Sequence, residues 1–286
     1  MSNIHGFGDL SDNRGIGIQS SNSFTNSNSN KDDKIYQPSI YKTRTVTFVL
    51  LVSIISIYVI QSIAFYTYFQ KDNKSWDCLL VTFGAFQAGK IKNHYQYFRF
   101  FTSMFLHNSF SHAGSNSLSL LFLGFQTENE MNNTRQYILL YFISGLAGNF
   151  MSILFNQMNI SVGASGALIG LCGNFEIYFL LNYRRMSQRK KYSYGIMFIF
   201  LFINLFSGIA EGGENINIAA HVGGFLGGFA YSIIVTFKNI IHLKFNNNYF
   251  RRLYYASFSF LVLLPIISLG VVFFKSVSDS TEYICS

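Results

Sequence analysis

Long uncharged runs alternate with short polar or basic segments along most of the chain. The first run spans residues 45–70 and ends at Lys71. A second run covers residues 100–127, and we expect its membrane-crossing helix to begin near Ser109. A helix needs ~20 apolar residues to cross ~30 Å of hydrocarbon. Both runs are long enough, so the pattern predicts transmembrane helices.

The uncharged stretch at residues 136–175 is too long for a single crossing. The polar cluster at residues 156–159 near its middle predicts a turn between two helices. Three further runs, at residues 192–210, 215–237 and 253–274, complete the set. We therefore expect an all-α, polytopic membrane helix bundle with about seven transmembrane helices.

Composition agrees with this fold class. Half of the 286 residues are hydrophobic and only 12% are charged, about half the charged share of soluble domains. The net charge of +8 does not indicate a nucleic-acid partner, because the basic residues stand in short blocks between the apolar runs. Three cysteines without paired spacing argue against a disulfide framework or a zinc site. We expect neither a metal nor another cofactor.

The chain divides into three regions. Residues 1–43 are rich in Ser and Asn and show no helical or strand period, which predicts a disordered cytoplasmic tail. Residues 44–252 hold six helices and the long loop 71–99, and residues 253–286 add a seventh helix with a short tail.

The Lys and Arg distribution predicts the orientation in the membrane. Basic residues precede the first run, and others lie between the fourth and fifth runs and between the sixth and seventh. Parity places all three groups on one side, which the positive-inside rule assigns to the cytoplasm. We therefore expect a cytoplasmic N-terminus, with loop 71–99 and the C-terminus lumenal or extracellular. The expected location is the secretory pathway or the plasma membrane.

Four polar residues stand near the outer ends of three predicted helices. His112 and Asn116 are four residues apart on the second helix and therefore share a face. Ser165 begins the fourth helix, and His221 lies roughly two turns into the sixth. A lone serine in a span usually bonds only a backbone carbonyl, but ionisable groups within membranes are costly and tend to be functional. All four residues are expected on the same side of the membrane and at a similar depth, and this agreement predicts a functional site.

Three segments resemble motifs of the rhomboid family of intramembrane proteases. They are RFFTSMFLH followed by HAGSN at residues 99–116, GASGALIG at 163–170, and AHVGGFLGG at 220–228. They occur in the family's order over residues 98–228. The additional helix after the histidine helix resembles the six-plus-one arrangement of many eukaryotic members.

The resemblance implies a chemistry for the four polar residues. Ser165 would be the nucleophile and His221 its general base, without a third acidic residue. The His112 and Asn116 side chains, with the Ser165 amide, would stabilise the oxyanion. The implied function is a serine endopeptidase that cleaves transmembrane helices of other proteins in the lipid bilayer, near their outer or lumenal ends.

Glycines accompany these residues. The resemblance implies that Gly163 and Gly166, which flank Ser165 in the motif, let the substrate backbone approach closely. Gly224 and Gly228 are four apart, and this spacing indicates close helix packing before any other role.

The chain departs from the family pattern at three positions. Members often carry Trp-Arg where this chain has Phe98 and Arg99. They often have an aromatic residue that stacks on the histidine ring, where this chain has Ile169, and a glycine where it has Asn132. None of these differences removes a catalytic atom.

Three other functions compete with this interpretation. A proteolytically inactive rhomboid-like protein could bind and traffic membrane clients, although such relatives typically lack the serine or the histidine. A transporter or channel favours inverted repeats, and the sequence has no internal repeat. The Gly-x-Gly-Asp match of aspartyl intramembrane proteases, at residues 6–9, lies in the polar tail without a partner Asp in any span.

Overall fold

The computed structural model describes residues 45–131, 133–155, 160–184, 186–210, 217–241, 248–274 and Cys285. The expected tail at 1–43 and the expected turn at 156–159 lie outside these residues.

Helices account for almost all of the described chain. They are α1 (Thr45–Ala64, extended by a π-helical turn at Phe65–Phe69), α2 (Trp76–Phe83), α3 (Ala88–His94), α4 (Arg99–Thr102), α5 (Phe110–Ser119, followed by a π-helical turn at Leu120–Gly124), α6 (Phe125–Met131), α7 (Thr134–Phe155), α8 (Ser165–Asn182), α9 (Gln188–Ala210), α10 (Ile218–Ile241) and α11 (Asn248–Phe274).

Four stretches within the described residues are long and apolar enough to cross a membrane. They are Thr45–Phe69, Thr134–Phe155, Ile218–Phe237 and Asn248–Phe274. The all-α membrane bundle is thereby confirmed, while the count of about seven crossings stays a prediction. The start of α5 also agrees with the sequence, because Ser109 is its N-cap and its Oγ accepts the amide of His112 at 3.2 Å.

The loop 71–99 contains helical turns that the sequence pattern did not predict. A buried arginine holds them together: Arg99 Nη1 donates to the carbonyls of Val81 at 2.9 Å and Ala85 at 2.8 Å. Arg99 Nε donates to Gln96 Oε1 at 2.7 Å. These bonds satisfy a charged group away from water and fix α2 against the start of α4.

A buried carboxylate organises the opposite end of the bundle. The uncharged run 100–127 ends just before Glu128, but α6 continues to Met131 and Glu128 is buried within it. Its carboxylate accepts the amides of Val46 at 3.1 Å and Thr47 at 3.0 Å, together with the Thr47 hydroxyl at 2.7 Å. Glu128 thus caps the first turn of α1, where backbone amides lack partners inside the helix.

Glycines bring three helices into backbone contact. A methyl group added at Gly224 of α10 would overlap the Gly166 carbonyl of α8, and one added at Gly228 would overlap the Gly170 carbonyl. A methyl group at Gly148 of α7 would lie 2.6 Å from the Ala220 carbonyl of α10. Small residues at helix interfaces permit this approach in membranes. The packing interpretation of Gly224 and Gly228 is consistent with these positions.

The structure pairs two of the three cysteines, contrary to the sequence expectation. Cys78 in α2 forms a disulfide with Cys285, which lies 207 residues later in the chain, and Cys172 is free and buried. No spacing motif signals a bond between residues so far apart. The disulfide places Cys285 on the same side of the bundle as α2.

We expect Gly224→Ala to destabilise the bundle by about 1–3 kcal/mol, because the carbonyl that meets the added methyl group belongs to backbone that cannot rotate away. Gly270→Ala is the matched control, since no atom of the described residues lies within 4 Å of a methyl group there. Thermal unfolding in detergent measures both variants. Equal midpoints for the two would contradict the close approach of α8 and α10.

Candidate active site

Ser165 is the first residue of α8. Gly163, two residues earlier, has φ +121°, a left-handed conformation that residues with side chains rarely adopt. The chain turns at Gly163 and Ala164 into the helix, and residues 160–164 form the segment that precedes it. We call this segment the nucleophile loop. The first amides of a helix have no partner within it, so those of Ser165 and Gly166 are available as hydrogen-bond donors.

His221 stands beside this serine. Its Nε2 lies 2.8 Å from Ser165 Oγ, a hydrogen-bond distance, and the ring is buried. The structure corrects its expected depth, because α10 begins at Ile218 and His221 falls in the first turn rather than the second. The helices come close because Gly166 faces the Ala220 carbonyl, at 3.3 Å from an added methyl group.

His112 and Asn116 lie on the other side of the nucleophile loop. A methyl group added at Gly163 would lie 2.7 Å from His112 Cε1, 2.8 Å from His112 Nε2 and 3.4 Å from Asn116 Nδ2. The two side chains on α5 therefore face the turn that precedes Ser165. The four residues predicted from sequence meet around Gly163, and three separate helices supply them.

The side chain of Asn116 is held by a histidine that sequence reasoning did not single out. Asn116 Nδ2 lies 2.9 Å from His107 Nε2, and His107 Nδ1 lies 3.2 Å from the Phe105 carbonyl. Burial, with a smaller contribution from His112, lowers the pKa of His107 to about 3, so the ring is neutral at physiological pH. Nδ1 then donates to the carbonyl, and Nε2 accepts from the Asn116 amide.

Gln61 of α1 fixes the backbone of His107. Its Oε1 accepts the His107 amide and its Nε2 donates to the His107 carbonyl, both at 3.2 Å. The only signal available from sequence is a glutamine within an apolar run, which calls for a polar partner.

His112 has a side-chain partner of its own. Its Nδ1 lies 2.8 Å from Asn108 Oδ1, one helical turn earlier. Nε2 is the ring nitrogen that faces Gly163. Asn108 therefore sets the direction of the ring toward the nucleophile loop.

The nucleophile loop is tied down by backbone hydrogen bonds. Ser161 and Phe86 exchange both of theirs, at 3.0 and 2.9 Å, and form an isolated antiparallel bridge. The Gly163 amide donates to the Ser103 carbonyl at 2.9 Å. Loop 71–99 and the α4 region thus support the backbone that carries Ser165.

This arrangement provides a hydroxyl in contact with an imidazole, beside a helix N-terminus and two polar side chains. Such a set can activate a serine for attack on a carbonyl and stabilise the negative charge that results. Within the described part of the chain, no group of three His, Cys, Asp or Glu side chains is placed to hold a metal ion.

The part of the chain that carries these residues is similar to known proteins. Residues 94–238 match the model of the Rhomboid domain. RHOMBOID-like protein 1 of Arabidopsis thaliana is 37% identical over 155 residues, which cover 54% of this chain and 39% of that protein. Rhomboid-like protease 3 of Toxoplasma gondii is 28% identical over 189 residues, which cover 66% of this chain and 69% of the relative.

A bacterial relative matches the same region. Rhomboid protease GluP of Bacillus subtilis is 33% identical over 151 residues, which cover 52% of this chain and 28% of that protein. The matched region spans less than half the length of the Arabidopsis and Bacillus relatives. The family model alone covers half of the present chain and contains all four polar residues described above. The chain is an integral membrane protein and belongs to the rhomboid family.

Proposed function

We propose that this protein is an intramembrane serine endopeptidase that cleaves transmembrane segments of other membrane proteins with a Ser165–His221 dyad. The observation that carries the proposal is the 2.8 Å distance between Ser165 Oγ and His221 Nε2 at the start of α8. Two relatives bear protease names, which supports the same chemistry.

His221 carries a proton twice in the proposed cycle, from Ser165 to the leaving amine in acylation and from water back to Ser165 in deacylation. His221 Nε2 takes the proton of Ser165 Oγ as the oxygen attacks the carbonyl carbon of the scissile peptide. The imidazolium then gives that proton to the leaving amine, and an acyl-enzyme ester remains on Ser165. Water attacks the ester with the same histidine as base, which releases the acid and restores the hydroxyl.

The oxyanion of the tetrahedral intermediate needs donors that are already in place. The Ser165 amide at the N-terminus of α8 is one, and the helix dipole adds to it. Asn116 Nδ2 supplies a second, because an amide has two N–H groups and His107 uses only one. His112 Nε2, which faces Gly163, supplies a third when that nitrogen is protonated.

His112 can donate from Nε2 only if that nitrogen carries a proton. In the neutral ring this requires the Asn108 amide group to present its NH₂ to Nδ1. With the Asn108 oxygen at Nδ1, only the doubly protonated ring donates at Nε2. Asn108 therefore controls which form of His112 stabilises the oxyanion.

The site's position explains the expected substrate. Ser165 and His221 both lie in the first turn of their helices, and Ser165 directly follows the nucleophile loop. Irregular backbone at such a position is tolerated where protein or a water-filled cavity covers it, and hydrolysis requires that water. A transmembrane segment of another protein would enter locally unwound, because a helix hides its backbone carbonyls from attack. Gly163 and Gly166 would leave room for that backbone.

Four variants separate the proposed roles. Ser165→Ala and His221→Ala should abolish both cleavage of a co-expressed single-span protein and labelling by a fluorophosphonate. His112→Ala and Asn116→Ala should each lower the cleavage rate by ~10²–10³, because one oxyanion donor is lost and the others remain. Labelling should persist in these two variants, although it should be slower.

The alternative, an inactive protein that binds membrane clients, makes a different prediction. Ser165→Ala would then behave like the wild type in every assay, and the wild type would resist the fluorophosphonate. Thermal midpoints of all four variants serve as the control for folding.

Asn108→Ala should lower the cleavage rate by about tenfold, the value of one hydrogen bond that orients a donor. It should cause no further loss in the His112→Ala background, because Asn108 acts only through that ring. Ser111→Ala is the matched control, since its hydroxyl bonds only Ser109 Oγ at 3.2 Å on the same surface turn. Additive losses from Asn108→Ala and His112→Ala would contradict this role.

Two observations support the proposed orientation, with loop 71–99 and the C-terminus lumenal or extracellular. The Lys and Arg bias assigns the N-terminal side to the cytoplasm. The Cys78–Cys285 disulfide belongs in an oxidising compartment, because cytoplasmic reductants keep thiols reduced. The secretory pathway or the plasma membrane satisfies both conditions.

Maleimide carrying a polyethylene glycol chain tests this placement on protein denatured directly from cells. One adduct, on Cys172, should form without reductant, and three should form after reduction, because only Cys172 is free. Cys172→Ser should remove one adduct from each count. Three adducts before reduction would show that Cys78 and Cys285 are thiols in the cell, and would contradict the assignment.

A further inference from the structure

The side chain of Asn217, at the start of α10, forms hydrogen bonds with α10 itself, with α7 and with the nucleophile loop. Asn217 directly precedes the helix, and its Oδ1 accepts the amide of Ala220 at 3.0 Å. This is the N-cap arrangement, in which a side-chain oxygen satisfies one of the first helical amides. The Asn217 carbonyl also accepts the amide of His221 at 3.2 Å. Asn217 therefore fixes the turn that carries His221.

The nitrogen of the same side chain contacts two other segments. Asn217 Nδ2 donates to Ser161 Oγ at 3.3 Å and also to Ser152 Oγ. Ser152 is fully buried in α7, and Ser161 belongs to the nucleophile loop. An asparagine amide has two N–H groups, so it can serve both hydroxyls at once.

These bonds exceed what a helix cap requires. Capping uses only the side-chain oxygen, and serine or aspartate caps a helix about as well as asparagine. The nitrogen of Asn217 instead fixes the distance between α10 and the loop that carries the nucleophile. On the other side of that loop, Phe86 holds the Ser161 backbone. Ser161 is thus restrained from two directions, four residues before Ser165.

We infer that Asn217 is a positioning residue that holds the nucleophile loop against the first turn of α10. It keeps Ser165 Oγ within hydrogen-bond distance of His221 Nε2 by bonding Ser161 on one side and capping the histidine's turn on the other. The inference rests on the proposed function. Misplacing reacting groups by about 1 Å can cost ~10² in rate, so the loss of this link should slow the chemical step.

Two substitutions separate bridging from capping. Asn217→Ser keeps a capping oxygen but is too short to reach Ser152 and Ser161. Asn217→Asp keeps the cap and offers a second oxygen, which can accept from the hydroxyls of both serines. Ser161→Ala removes one end of the bridge and leaves the cap intact. Ser187→Ala, which removes a cap from the start of α9 far from the site, is the matched control.

The assay measures kcat and KM for a single-span substrate and the rate of fluorophosphonate labelling of the full chain in detergent. We expect Asn217→Ser to lower kcat and labelling by about ten- to a hundredfold, with KM and the thermal midpoint near wild type. Asn217→Asp should recover most of the loss. Ser161→Ala should reproduce part of it, and should add nothing in the Asn217→Ser background. Ser187→Ala should match the wild-type kcat.

The inference is overturned if the wild type is active and Asn217→Ser equals it in kcat. It is also overturned if Asn217→Asp fails to rescue, or if kcat falls only together with the thermal midpoint, because capping then explains the loss. If the wild type neither cleaves nor labels, and therefore equals Ser165→Ala, the proposed function itself fails and the inference fails with it. The activity of the wild type therefore distinguishes a failure of the proposed function from a failure of the inference about Asn217.

Discussion

The contact between Ser165 and His221 depends on how closely α8 and α10 approach each other. The two side chains are short, so their helices must meet backbone to backbone before oxygen and nitrogen come within 2.8 Å. Glycine at positions 224 and 228 permits that approach, and a single methyl group at either position would prevent it. In a bilayer, lipid tails provide no hydrophobic force between helices, so this close packing is itself a source of association energy. The contact between Ser165 and His221 and the stability of the bundle therefore share one cause.

Around that contact, irregular backbone is covered by protein. The loop 71–99 would expose many unpaired polar groups if it were extended, and Arg99 and the bridge between Phe86 and Ser161 satisfy several of them internally. Asn149 of α7 extends the same network, since its Nδ2 donates to the Phe100 carbonyl at 2.8 Å and to Ser103 Oγ at 3.2 Å. Each bond links segments distant in sequence, so the support of the nucleophile loop is distributed over several elements.

Much of the architecture follows from apolar runs, because a bilayer demands long uncharged helices. The bounds expected for the first run agree with α1 and its π-helical extension, and Ser109 marks the start of α5. The last run ends with α11 at Phe274, but α11 begins at Asn248, so the expected boundary between residues 252 and 253 lies inside this helix, whose first turns carry two arginines. The motifs also identified the residues that meet around Gly163. The short helices at residues 76–102 were not predicted, since they lack the length that produces a clear period.

The partners of the site residues were missed for a different physical reason. Gln61 and His107 are 46 positions apart, and Asn217 and Ser161 are 56 apart. Hydrogen bonds over such separations leave no local pattern, since each residue only needs some polar neighbour in three dimensions. The disulfide between Cys78 and Cys285 is hidden in the same way.

That disulfide also changes the covalent connectivity of the chain. Ser165, His221, His112 and Asn116 all lie between Cys78 and Cys285, so the disulfide closes residues 78–285 into a covalent ring that contains these four residues. A single peptide-bond cleavage in any loop of this ring opens the ring, but Ser165 and His221 stay covalently joined through the disulfide. A nicked molecule in an oxidising compartment therefore keeps all its helices tethered, and only reduction together with cleavage releases them as fragments.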